Sequence, residues 1–393
     1  MSDLLGLEEA QARLLALAPL LPLEEVPTES ALGRFLAEDL RATRTQPPAD
    51  LSAMDGYALA GGAGPWTLVG ESRAGAPYRE VLDEGQCVRI STGAIVPPGA
   101  DRVLLQEDAA DDDGQITATE LPPPGRHIRA RGFDFHAGDL LLARGTRFTP
   151  ARLALALAGG HATVSVPRRL RVAVMDSGDE LSPDPADCLP HQIPASNAAM
   201  IAAMLAPFGC TITRIGPVPD SREALSEALA QAAEADILVT SGGASVGDHD
   251  LIKPALADWG AETAFWRVAI KPGKPLLVAT RGSQVILGLP GNPVSSFVTA
   301  FLFALPLVRA GLGDPDPLPR TVTMIAGEDL PPSERRREFL RAVTAVDRVH
   351  LAGSQDSSAL SALAAADALI DRPAGSPAAR AGDAVEVFLL QNG

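Results

Sequence analysis

The amino-acid sequence predicts a multidomain α/β and β protein built around a central three-layer α/β domain with a mostly parallel sheet. From residue 170 to about residue 311, short apolar strands alternate with helical segments, which is typical of such a domain. On both sides of this stretch, short β-type runs alternate with Gly/Pro turns. A chain of 393 residues is also too long for one ordinary core, so we expect several domains.

The central stretch repeats a strand–helix unit. Three apolar strands are each followed by a helical segment, and two further strands lead to a helix that starts near Val294. Right-handed βαβ connections make such strands parallel, and ligands bind outside their carboxyl ends. The functional residues should therefore follow strand ends. The five predicted strands are LRVAVM, TITRIG, DILVTSGG, LLVAT and VILGLPG.

The flanking regions are predicted to be a helical region that carries an inserted small β domain, and a C-terminal β-rich domain. Apolar periodicity predicts helices at residues 4–18, 30–39 and 150–159, and we expect the third to pack on the first two. Asp113-Gly114 predicts a hairpin turn within the insertion. The predicted boundaries are residues 1–45 and 136–168 for the helical region, 46–135 for the inserted β domain, 169–313 for the α/β domain and 314–393 for the C-terminal domain.

Composition argues against several kinds of partner. The formal net charge of -16 disfavours nucleic acid and anionic membranes. Three cysteines without CxxC spacing predict unpaired thiols in a reducing compartment rather than a zinc site. The apolar run from Ser295 to Leu307 is short and contains Pro306, which favours a core helix over a membrane span. Because the N-terminus is acidic, unlike a signal peptide, we expect a cytoplasmic protein.

Lysine is concentrated in one segment of the chain. Of the 33 Lys plus Arg residues, the lysines are Lys253, Lys271 and Lys274. A lysine ammonium is compact and mobile, whereas an arginine guanidinium is a planar fork. The clustering therefore indicates a local need for ammonium groups, with chance as the alternative. An acidic chain can bind an anionic small molecule only where positive charge is concentrated in this way.

A glycine-rich turn follows the strand DILVT. Its backbone N–H groups and hydroxyls, beside a helix start, suit a phosphate group, although a glycine-rich turn alone is more often structural. The motif SGGASVGDHD contains neither a Walker A lysine nor a GxGxxG pattern. The residues of interest are Ser241, Gly242, Gly243, Ser245 and Gly247.

Carboxylates follow the first two central strands and the glycine-rich turn. Asp176, Asp179 and Glu180 lie in DSGDEL, and beside a phosphate they would need a cation such as Mg²⁺, with a solvated acidic turn as the alternative. Asp220, with Glu223 three residues later, fits a helix-capping box. Asp250 follows the glycine-rich turn and is either a ligand-binding residue or a helix cap.

Cations and a rigid corner complete the predicted sheet edge. RVAIKPGKP carries Arg267, Lys271 and Lys274, and its prolines and glycine hold both lysines on a turn or an extended backbone. The corner LPGNP follows the last strand. There Gly291 allows a ligand to approach the backbone, and the prolines hold the turn without adding N–H groups.

The inserted β domain has its own polar turns. LSAMDGYAL places Asp55 in a turn before Gly56, RISTGAIVPPGAD places Thr92 before a glycine, and RGFDF places Asp134 between two phenylalanines. Each turn alone is explained by local structure.

Taken together, these stretches resemble the MoeA-type molybdopterin molybdenumtransferases, and the resemblance spans nearly the whole chain. Seven motifs occur in the family's order, whereas the C-terminal domain matches in position more than in motif. The motifs are SAMDGYA, STGAIVPPGAD, RGFDF, SGDEL, SGGASVGDHD, AIKPGKP and LPGNP.

The resemblance implies an enzyme for the last step of molybdenum cofactor synthesis. Such an enzyme inserts molybdate into adenylylated molybdopterin and releases AMP with the help of Mg²⁺. It implies a homodimer formed through the helical region, with each site shared between one subunit's α/β domain and the partner's β domain. It also implies a molybdopterin adenylyltransferase as a partner protein.

The resemblance also assigns roles to residues. Asp55, Thr92 and Asp134 would face the site from the β domain, with Asp55 and Thr92 coming from the partner subunit. Glu180, Asp220 and Asp250 would act on the α/β side and hold Mg²⁺, and Arg267 and Lys271 would face the anionic groups. The residues expected to bind the cofactor moiety are Ser241, Gly242, Gly243, Ser245, Gly247, Lys274, Pro290, Gly291, Asn292 and Pro293.

Three departures from the family pattern and two rival functions accompany this interpretation. Phe133, Arg267 and Asp176 stand where the family often has glutamate, lysine and a small hydroxylated residue.

A molybdopterin adenylyltransferase shares the central motifs but lacks the region with Asp55 and Thr92. A non-catalytic molybdopterin-binding protein would not need the acidic and basic residues. Tungstate has nearly the size and charge of molybdate, so both oxyanions remain candidate substrates.

Overall fold

The protein, represented by a computed structural model, has three six-stranded sheets among the residues that the structure describes, each in a different part of the chain. The structure describes residues 4–242 and 251–390. One sheet lies in the predicted insertion, one in the centre and one at the C-terminus. The predicted multidomain α/β and β architecture is therefore confirmed. The exact boundaries of the four regions remain predictions.

The first helix packs into the central core. Leu7, Ala10 and Leu14 are buried in the same apolar cluster as the central strands, because their spacing places them on one helix face. The elements of this segment are α1 (Leu7–Leu15), β1 (Leu23–Pro27) and β2 (Leu40–Arg41).

The helix predicted at residues 30–39 is wrong. A single 3₁₀ turn, Thr28–Ser30, precedes irregular backbone in which Gly33 has a φ of 79°. A left-handed residue ends a helix. Arg34 is buried and donates hydrogen bonds to the Pro167 carbonyl and to Glu24. Tertiary contacts have therefore overridden the helical periodicity.

The inserted β domain contains one six-stranded sheet in the order β7-β4-β6-β5-β9-β8, beside a short β3–β10 pair. The predicted hairpin at Asp113-Gly114 is confirmed, because both residues have positive φ, as a two-residue turn requires. The strands are β3 (Leu51–Ser52), β4 (Gly56–Leu59), β5 (Trp66–Ser72), β6 (Gln86–Ile90), β7 (Arg102–Leu105), β8 (Ala109–Asp112), β9 (Gln115–Ala118) and β10 (Ile128–Arg129).

After the insertion the chain returns to the segment from which it left. The first returning strand pairs with β2 and the last with β1, both antiparallel, so the insertion leaves and re-enters at one place. The helix between them starts at Pro150, and the Thr149 side chain accepts a hydrogen bond from the N–H of Arg152 as an N-cap. These elements are β11 (Leu140–Leu142), α2 (Pro150–Ala158) and β12 (Thr163–Pro167).

The central sheet has the order β16-β13-β17-β21-β20-β18 and is mostly parallel, as predicted. Its first four strands run parallel, and β20 is antiparallel to both neighbours, so β18 points the same way as β21. Apolar clusters cover both faces. The elements are β13 (Arg171–Ser177), β14 (Leu181–Ser182), β15 (Ile193–Pro194), α3 (Asn197–Leu205), β16 (Thr211–Val218), α4 (Arg222–Gln231), β17 (Ile237–Ser241), α5 (Ile252–Asp258), β18 (Glu262–Trp266), β19 (Ile270–Lys271), β20 (Leu277–Arg281), β21 (Gln284–Leu289), α6 (Pro293–Thr299) and α7 (Leu305–Gly311).

The helix after the corner, α6 and α7 joined by a π-helical segment, is the core helix that the sequence predicts. Among the described residues, Pro293–Gly311 is long and apolar enough to cross a membrane, but 83% of its most apolar window is buried inside the protein. Pro306 has no N–H to offer the Leu302 carbonyl four residues earlier, and the π-helical segment lies at this point. The side chain of Gln11, on α1, donates to that carbonyl at 2.9 Å.

The C-terminal sheet has the order β19-β23-β24-β22-β26-β25. Its edge strand β19 belongs to the lysine-bearing turn of the central domain, so the two domains meet at Lys271. The elements are β22 (Thr321–Ala326), β23 (Arg337–Ala345), β24 (Arg348–Leu351), α8 (Leu360–Ala365), β25 (Ala368–Arg372) and β26 (Ala384–Leu389).

Candidate active site

The carboxyl ends of β13, β17 and β21 meet at one edge of the central sheet, as predicted. The paired register aligns Asp176 with Ser241, and Ser241 with Leu289. A small cavity of about 70 Å³ lies at this edge. Its polar and glycine lining includes Ser177, Glu180, Asn197, Ser241, Gly242 and Gly291.

Asn197 links the elements of this edge. Its amide donates to the Ser241 hydroxyl at 2.9 Å and to the Gly291 carbonyl at 2.6 Å. The first residue of α3 therefore connects the end of β17 to the corner. Sequence reasoning missed Asn197, since an asparagine at a helix start indicates only a cap.

The backbone conformation at position 242 requires a glycine. It has a φ of 99°, and a Cβ there would lie 2.5 Å from the Ser177 carbonyl oxygen. Only glycine combines that conformation with such a close approach of two strand ends. The structure therefore supports the importance of Gly242 at the start of the glycine-rich turn.

Asp176 caps a helix and does not join the acidic group of the site. It is 3% exposed, and one carboxylate oxygen accepts a hydrogen bond from the N–H of Ala198 in the first turn of α3. Its other oxygen has no hydrogen-bond partner among residues 4–242 and 251–390. Burial raises the pKa of Asp176, although the Ala198 N–H and Arg214 act in the opposite direction. This departure from the family pattern is therefore explained by local structure.

Asp179, Glu180 and Asp220 form an exposed acidic group at the ends of β13 and β16. Asp179 accepts a hydrogen bond from the N–H of Asp220 at 3.0 Å. Partial burial and the neighbouring carboxylates of Asp179 and Glu180 raise the pKa of Asp220. The capping box predicted for Asp220 is wrong, because Ser221 is the N-cap of α4 and accepts from Ala224 N–H. The Asp220 carboxylate is therefore not used as the cap.

The three predicted cations lie in two environments. Arg267 follows the carboxyl end of β18, and its guanidinium lies 3.8 Å from the ring centroid of Trp266. Lys271 lies at the junction with the C-terminal domain and donates to Glu338 at 3.1 Å. Lys274 is exposed on the same turn as Lys271.

A basic pocket of about 480 Å³ lies between that turn and the C-terminal domain. Arg341, on β23, is 1% exposed and lines this pocket. Its guanidinium donates to the carbonyls of Ser354 and Asp356, while its Nε has no hydrogen-bond partner among the described residues. Burial lowers the pKa of Arg341 from its ordinary value, and Asp356 acts against this shift. The other cations of the pocket are Lys271, Lys274 and Arg336.

The LPGNP corner separates the small cavity from the basic pocket. Pro290 is buried, and Gly291 and Pro293 line the small cavity. Asn292 points to the other side, where its amide donates to the Ser357 hydroxyl at 3.0 Å, and Ser357 lines the basic pocket. Arg341 and Ser357 were missed by sequence reasoning, because nothing local to their segment marks a site.

Asp55 and Thr92 form a pair on the β domain. One Asp55 oxygen accepts from the Thr92 N–H at 2.6 Å and from the Thr92 hydroxyl at 2.9 Å. These bonds, and more weakly Arg89, hold the pKa of Asp55 below its ordinary value. Asp134 is exposed on a separate turn, and its N–H bonds to the Gln46 carbonyl. Asp55 and Thr92 are thus brought together, within a different domain from Glu180 and Asp220.

Part of the predicted site lies outside the described residues, namely Gly243, Ser245, Gly247 and Asp250. Within residues 4–242 and 251–390, no three His, Cys, Asp or Glu side chains are placed to hold a metal ion. The three cysteines are free, as predicted.

These features define a class of protein: a multidomain α/β protein whose central sheet edge carries an acidic group on one side and a cation-lined pocket on the other. Such an edge is typical of sites for anionic small molecules. Comparison with known proteins then identifies the family.

Three family models match consecutive parts of the chain. They are the MoeA N-terminal region (domain I and II) at residues 5–160, a probable molybdopterin binding domain at residues 173–310, and the MoeA C-terminal region (domain IV) at residues 323–390. Together they cover most of the chain.

Curated relatives agree with the family models. A molybdopterin molybdenumtransferase from Haemophilus influenzae is 36% identical over 78% of this chain and 77% of its own length. One from Nostoc is 35% identical over 93% of this chain and 88% of its own length. A solved molybdopterin biosynthesis MoeA protein from Pyrococcus horikoshii has a TM-score of 0.84 and 29% identity, covering 99% of both chains. The chain belongs to the MoeA family, and the resemblance of its motifs is confirmed.

Proposed function

We propose that this protein is a molybdopterin molybdenumtransferase that inserts molybdate into adenylylated molybdopterin and releases AMP, giving molybdenum cofactor. Both curated relatives described above carry the name of that enzyme, and the matched N-terminal region contains Asp55 and Thr92. A molybdopterin adenylyltransferase or a non-catalytic binding protein is therefore not favoured.

The observation that carries the proposal is the buried guanidinium of Arg341 at the basic pocket. A buried cation that donates only to carbonyl oxygens is costly, and among the described residues Asp356 offsets this cost only in part, so that a compensating negative charge is still missing. An oxyanion in the pocket would supply that charge, and Lys274 and Arg336 line the same space. The pocket, at about 480 Å³, is large enough to admit molybdate, which is a tetrahedral dianion. We assign this pocket to the oxyanion substrate, molybdate or tungstate.

The acidic group suits Mg²⁺ at the phosphates of the substrate. Mg²⁺ binds through one or two carboxylates, several waters and phosphate oxygens, so it needs few protein ligands. Glu180 and Asp220 are the described carboxylates that would hold it, and Asp250 would add a third from outside the described residues. When bound, the ion would neutralise phosphate charge as AMP leaves.

The protein's own groups have separate tasks in this scheme. Asn197 and Gly242 fix the backbone where the phosphates would lie, since they join the ends of β17 and β13 to the corner. Ser241, Pro290 and Pro293 shape the wall beside them. Lys271 and Lys274 would keep the oxyanion close to the reacting sulfur atoms through charge-assisted hydrogen bonds. Arg267 would face the remaining anionic groups.

The β domain would complete the site from a second subunit. Asp55, Thr92 and Asp134 lie on a domain other than the one that carries Glu180, which agrees with a homodimer whose sites are shared. We propose that the dimer forms through residues 1–45 and 136–168. We also place the protein in the cytoplasm, with a molybdopterin adenylyltransferase as the source of its substrate.

The test is to mix the folded protein with adenylylated molybdopterin, Mg²⁺ and molybdate. Release of AMP together with metal-loaded cofactor is expected, and both should require molybdate. An adenylyltransferase would instead consume ATP and release pyrophosphate. Arg341→Gln should raise the molybdate concentration needed for half-maximal rate, whereas Arg348→Gln, which changes an exposed arginine on β24, should not. If the folded protein forms no molybdate-dependent product, the proposal fails.

A further inference from the structure

A second cavity, which we call the outer cavity, adjoins the basic pocket. It has a volume of about 930 Å³ and shares two cations with the pocket, Lys274 and Arg336. A third cation, Arg335, lines the outer cavity but not the pocket. Most residues around the outer cavity are exposed, whereas Arg341 in the pocket is 1% exposed, so the outer cavity opens to solvent. Its other lining residues are Leu4, Ser333, Glu334, Ala374 and Gly375.

The cations of the outer cavity carry positive charge that the protein does not neutralise. Arg335, Arg336 and Arg337 are consecutive, and Arg337 pairs with one carboxylate from α1 and one from β25. In the part of the chain that the structure describes, neither Arg335 nor Arg336 forms an ion pair; Arg336 donates to a backbone carbonyl. The carboxylate among the lining residues is that of Glu334. Three cations and one carboxylate leave an excess of positive charge.

The backbone on both sides of Arg335 is fixed by hydrogen bonds. The Glu334 carbonyl accepts from the Gly375 N–H at 2.7 Å, and the Arg337 N–H donates to the Ala269 carbonyl at 2.9 Å. The segment is thereby attached to the turn after β25 and to the chain just before β19. A cation whose backbone is anchored in this way stays at the mouth of the cavity.

The overall charge of the chain makes the capture of a dianion difficult. The formal net charge is -16, so most of the surface repels molybdate. At an ionic strength of about 0.1 M, salt screens charges over a Debye length of about 10 Å, so the charges that decide capture are those near the entry point. Concentrated positive charge at a cleft raises association rates by about 10- to 1000-fold. An acidic protein therefore admits a dianion most readily where cations line an open cavity.

We propose that the outer cavity is the entrance through which the oxyanion substrate reaches the basic pocket, and that Arg335 captures the dianion there. Lys274 and Arg336 line both spaces, so the ion passes from Arg335 into the pocket without leaving cationic surroundings. Arg335 does not line the pocket, so it does not hold the ion in its final place. The identity of the ion as molybdate or tungstate rests on the proposed function.

Uptake of isotopically labelled molybdate by the protein alone tests the entrance without turnover. Rapid filtration gives the rate constants for uptake and release, and equilibrium dialysis gives Kd. A residue that acts only during passage changes both rate constants by the same factor and leaves Kd unchanged. Arg335→Gln should therefore slow uptake and release about three- to tenfold, because it removes one of the three cations of the outer cavity. Arg341→Gln should instead raise Kd.

Salt and charge variants separate an electrostatic role from a structural one. At about 1 M salt the Debye length falls to about 3 Å, so the uptake rates of Arg335→Gln and wild type should converge. Arg335→Lys should keep most of the uptake rate, and Arg335→Glu should slow uptake further than Arg335→Gln. The matched control is Arg348→Gln, which removes the same charge beyond the far end of β23, a strand that spans about 26 Å. That variant should take up molybdate as the wild type does.

Turnover provides a second measurement. Arg335→Gln should lower kcat/KM for molybdate by the same factor as the uptake rate, with a much smaller effect on kcat. An uptake rate in Arg335→Gln equal to that of the wild type at about 0.1 M salt would overturn the proposal, as would a deficit that persists at about 1 M salt. A raised Kd with an unchanged uptake rate would overturn it too, since Arg335 would then hold the bound ion. Uptake that depends on Arg335, without any molybdate insertion, would keep the entrance and overturn the proposed function instead.

Discussion

The carboxylate of Asp55 is held as an anion at the surface of the β domain. Both of its described hydrogen bonds come from Thr92, and they keep the pKa of Asp55 below its ordinary value. Two hydrogen-bond donors fix this surface carboxylate in one rotamer, whereas a solvated carboxylate samples several. A carboxylate that is fixed and charged in this way is a candidate for contact with a ligand.

Asp55→Asn should abolish most turnover without unfolding the protein. The asparagine oxygen can still accept both hydrogen bonds from Thr92, so the geometry is kept and only the charge is lost. Glu180→Gln should behave in the same way on the other domain. The measurement is kcat with thermal unfolding on the same samples. Wild-type rates in both variants would remove these residues from the site.

The raised pKa of Asp220 predicts a gain of stability when its charge is removed. A carboxylic acid whose pKa is higher in the folded protein than in the unfolded chain binds its proton more tightly in the folded protein. The stability gained in this way is present below the ordinary pKa of the acid and is lost as the pH rises through the raised pKa. At neutral pH the ionised Asp220 therefore destabilises the fold. Asp220→Asn should raise Tm at neutral pH, and the gain should vanish in acid, below the ordinary aspartate pKa.

Two controls sharpen this experiment. Asp112→Asn removes an exposed charge from a hairpin and should leave Tm unchanged at both pH values. Mg²⁺ should stabilise the wild type more than Asp220→Asn if Asp220 holds the ion. A lower Tm for Asp220→Asn at neutral pH would contradict the pKa argument.

The residues of the site were predictable only where a local pattern marked them. Ser241, Gly242 and Gly291 follow predicted strands, and the structure places them together. Arg341 was missed because its burial depends on the pairing of β23 with β25, far along the chain. Asp220 was assigned to a cap because two residues in succession could serve as N-cap, and the structure uses Ser221.

Among the elements, local periodicity was sufficient for most of the central domain and insufficient elsewhere. Most of the central strands and helices are short apolar segments bounded by Gly and Pro, so each of these is predicted by its own residues. The strand β18 was missed because ETAFW has three exposed residues and is defined by antiparallel pairing with β20. The segment 30–39 was predicted as a helix because its buried arginine and left-handed glycine leave no mark on the apolar pattern.

The long helix after the corner depends on a side chain from α1. Gln11→Leu should destabilise the protein by about 1–3 kcal/mol, because the Leu302 carbonyl loses its side-chain donor in a buried place. Denaturant unfolding measures the change in free energy. Glu9→Gln is the control, because it breaks only the exposed salt bridge to Arg13, which is worth under about 1 kcal/mol. Equal stability of Gln11→Leu and wild type would show that the π-helical segment provides a hydrogen-bond donor for the Leu302 carbonyl without Gln11.

At the level of the whole molecule, the fold places Asp55 and Thr92 on the β domain, whereas Glu180 and Asp220 lie on the α/β domain. Large apolar side chains are exposed in the region expected to form the dimer, which favours contact with a second copy. Leu20 is 99% exposed and Leu23 is 60% exposed. The others in this region are Leu4, Leu32, Leu140 and Leu157.

A mixed dimer tests whether the site is shared. Asp55→Asn and Glu180→Gln would each inactivate both sites of its own homodimer. In a dimer with one chain of each kind, one site would contain both substitutions and the other neither. Random mixing of equal amounts should therefore restore about a quarter of the wild-type activity.

The control is a mixture of Glu180→Gln with Asp220→Asn, which lie on the same side of the proposed site. These two substitutions should not complement each other, because every site in a mixed dimer would contain one of them. The variants would be co-expressed with different tags, so that the mixed dimer can be purified and assayed alone. A mixed Asp55→Asn and Glu180→Gln dimer without activity would place both carboxylates in a site formed by one chain. Recovery in that dimer, and none in the control, would show that the β domain of one subunit completes the sheet edge of the other.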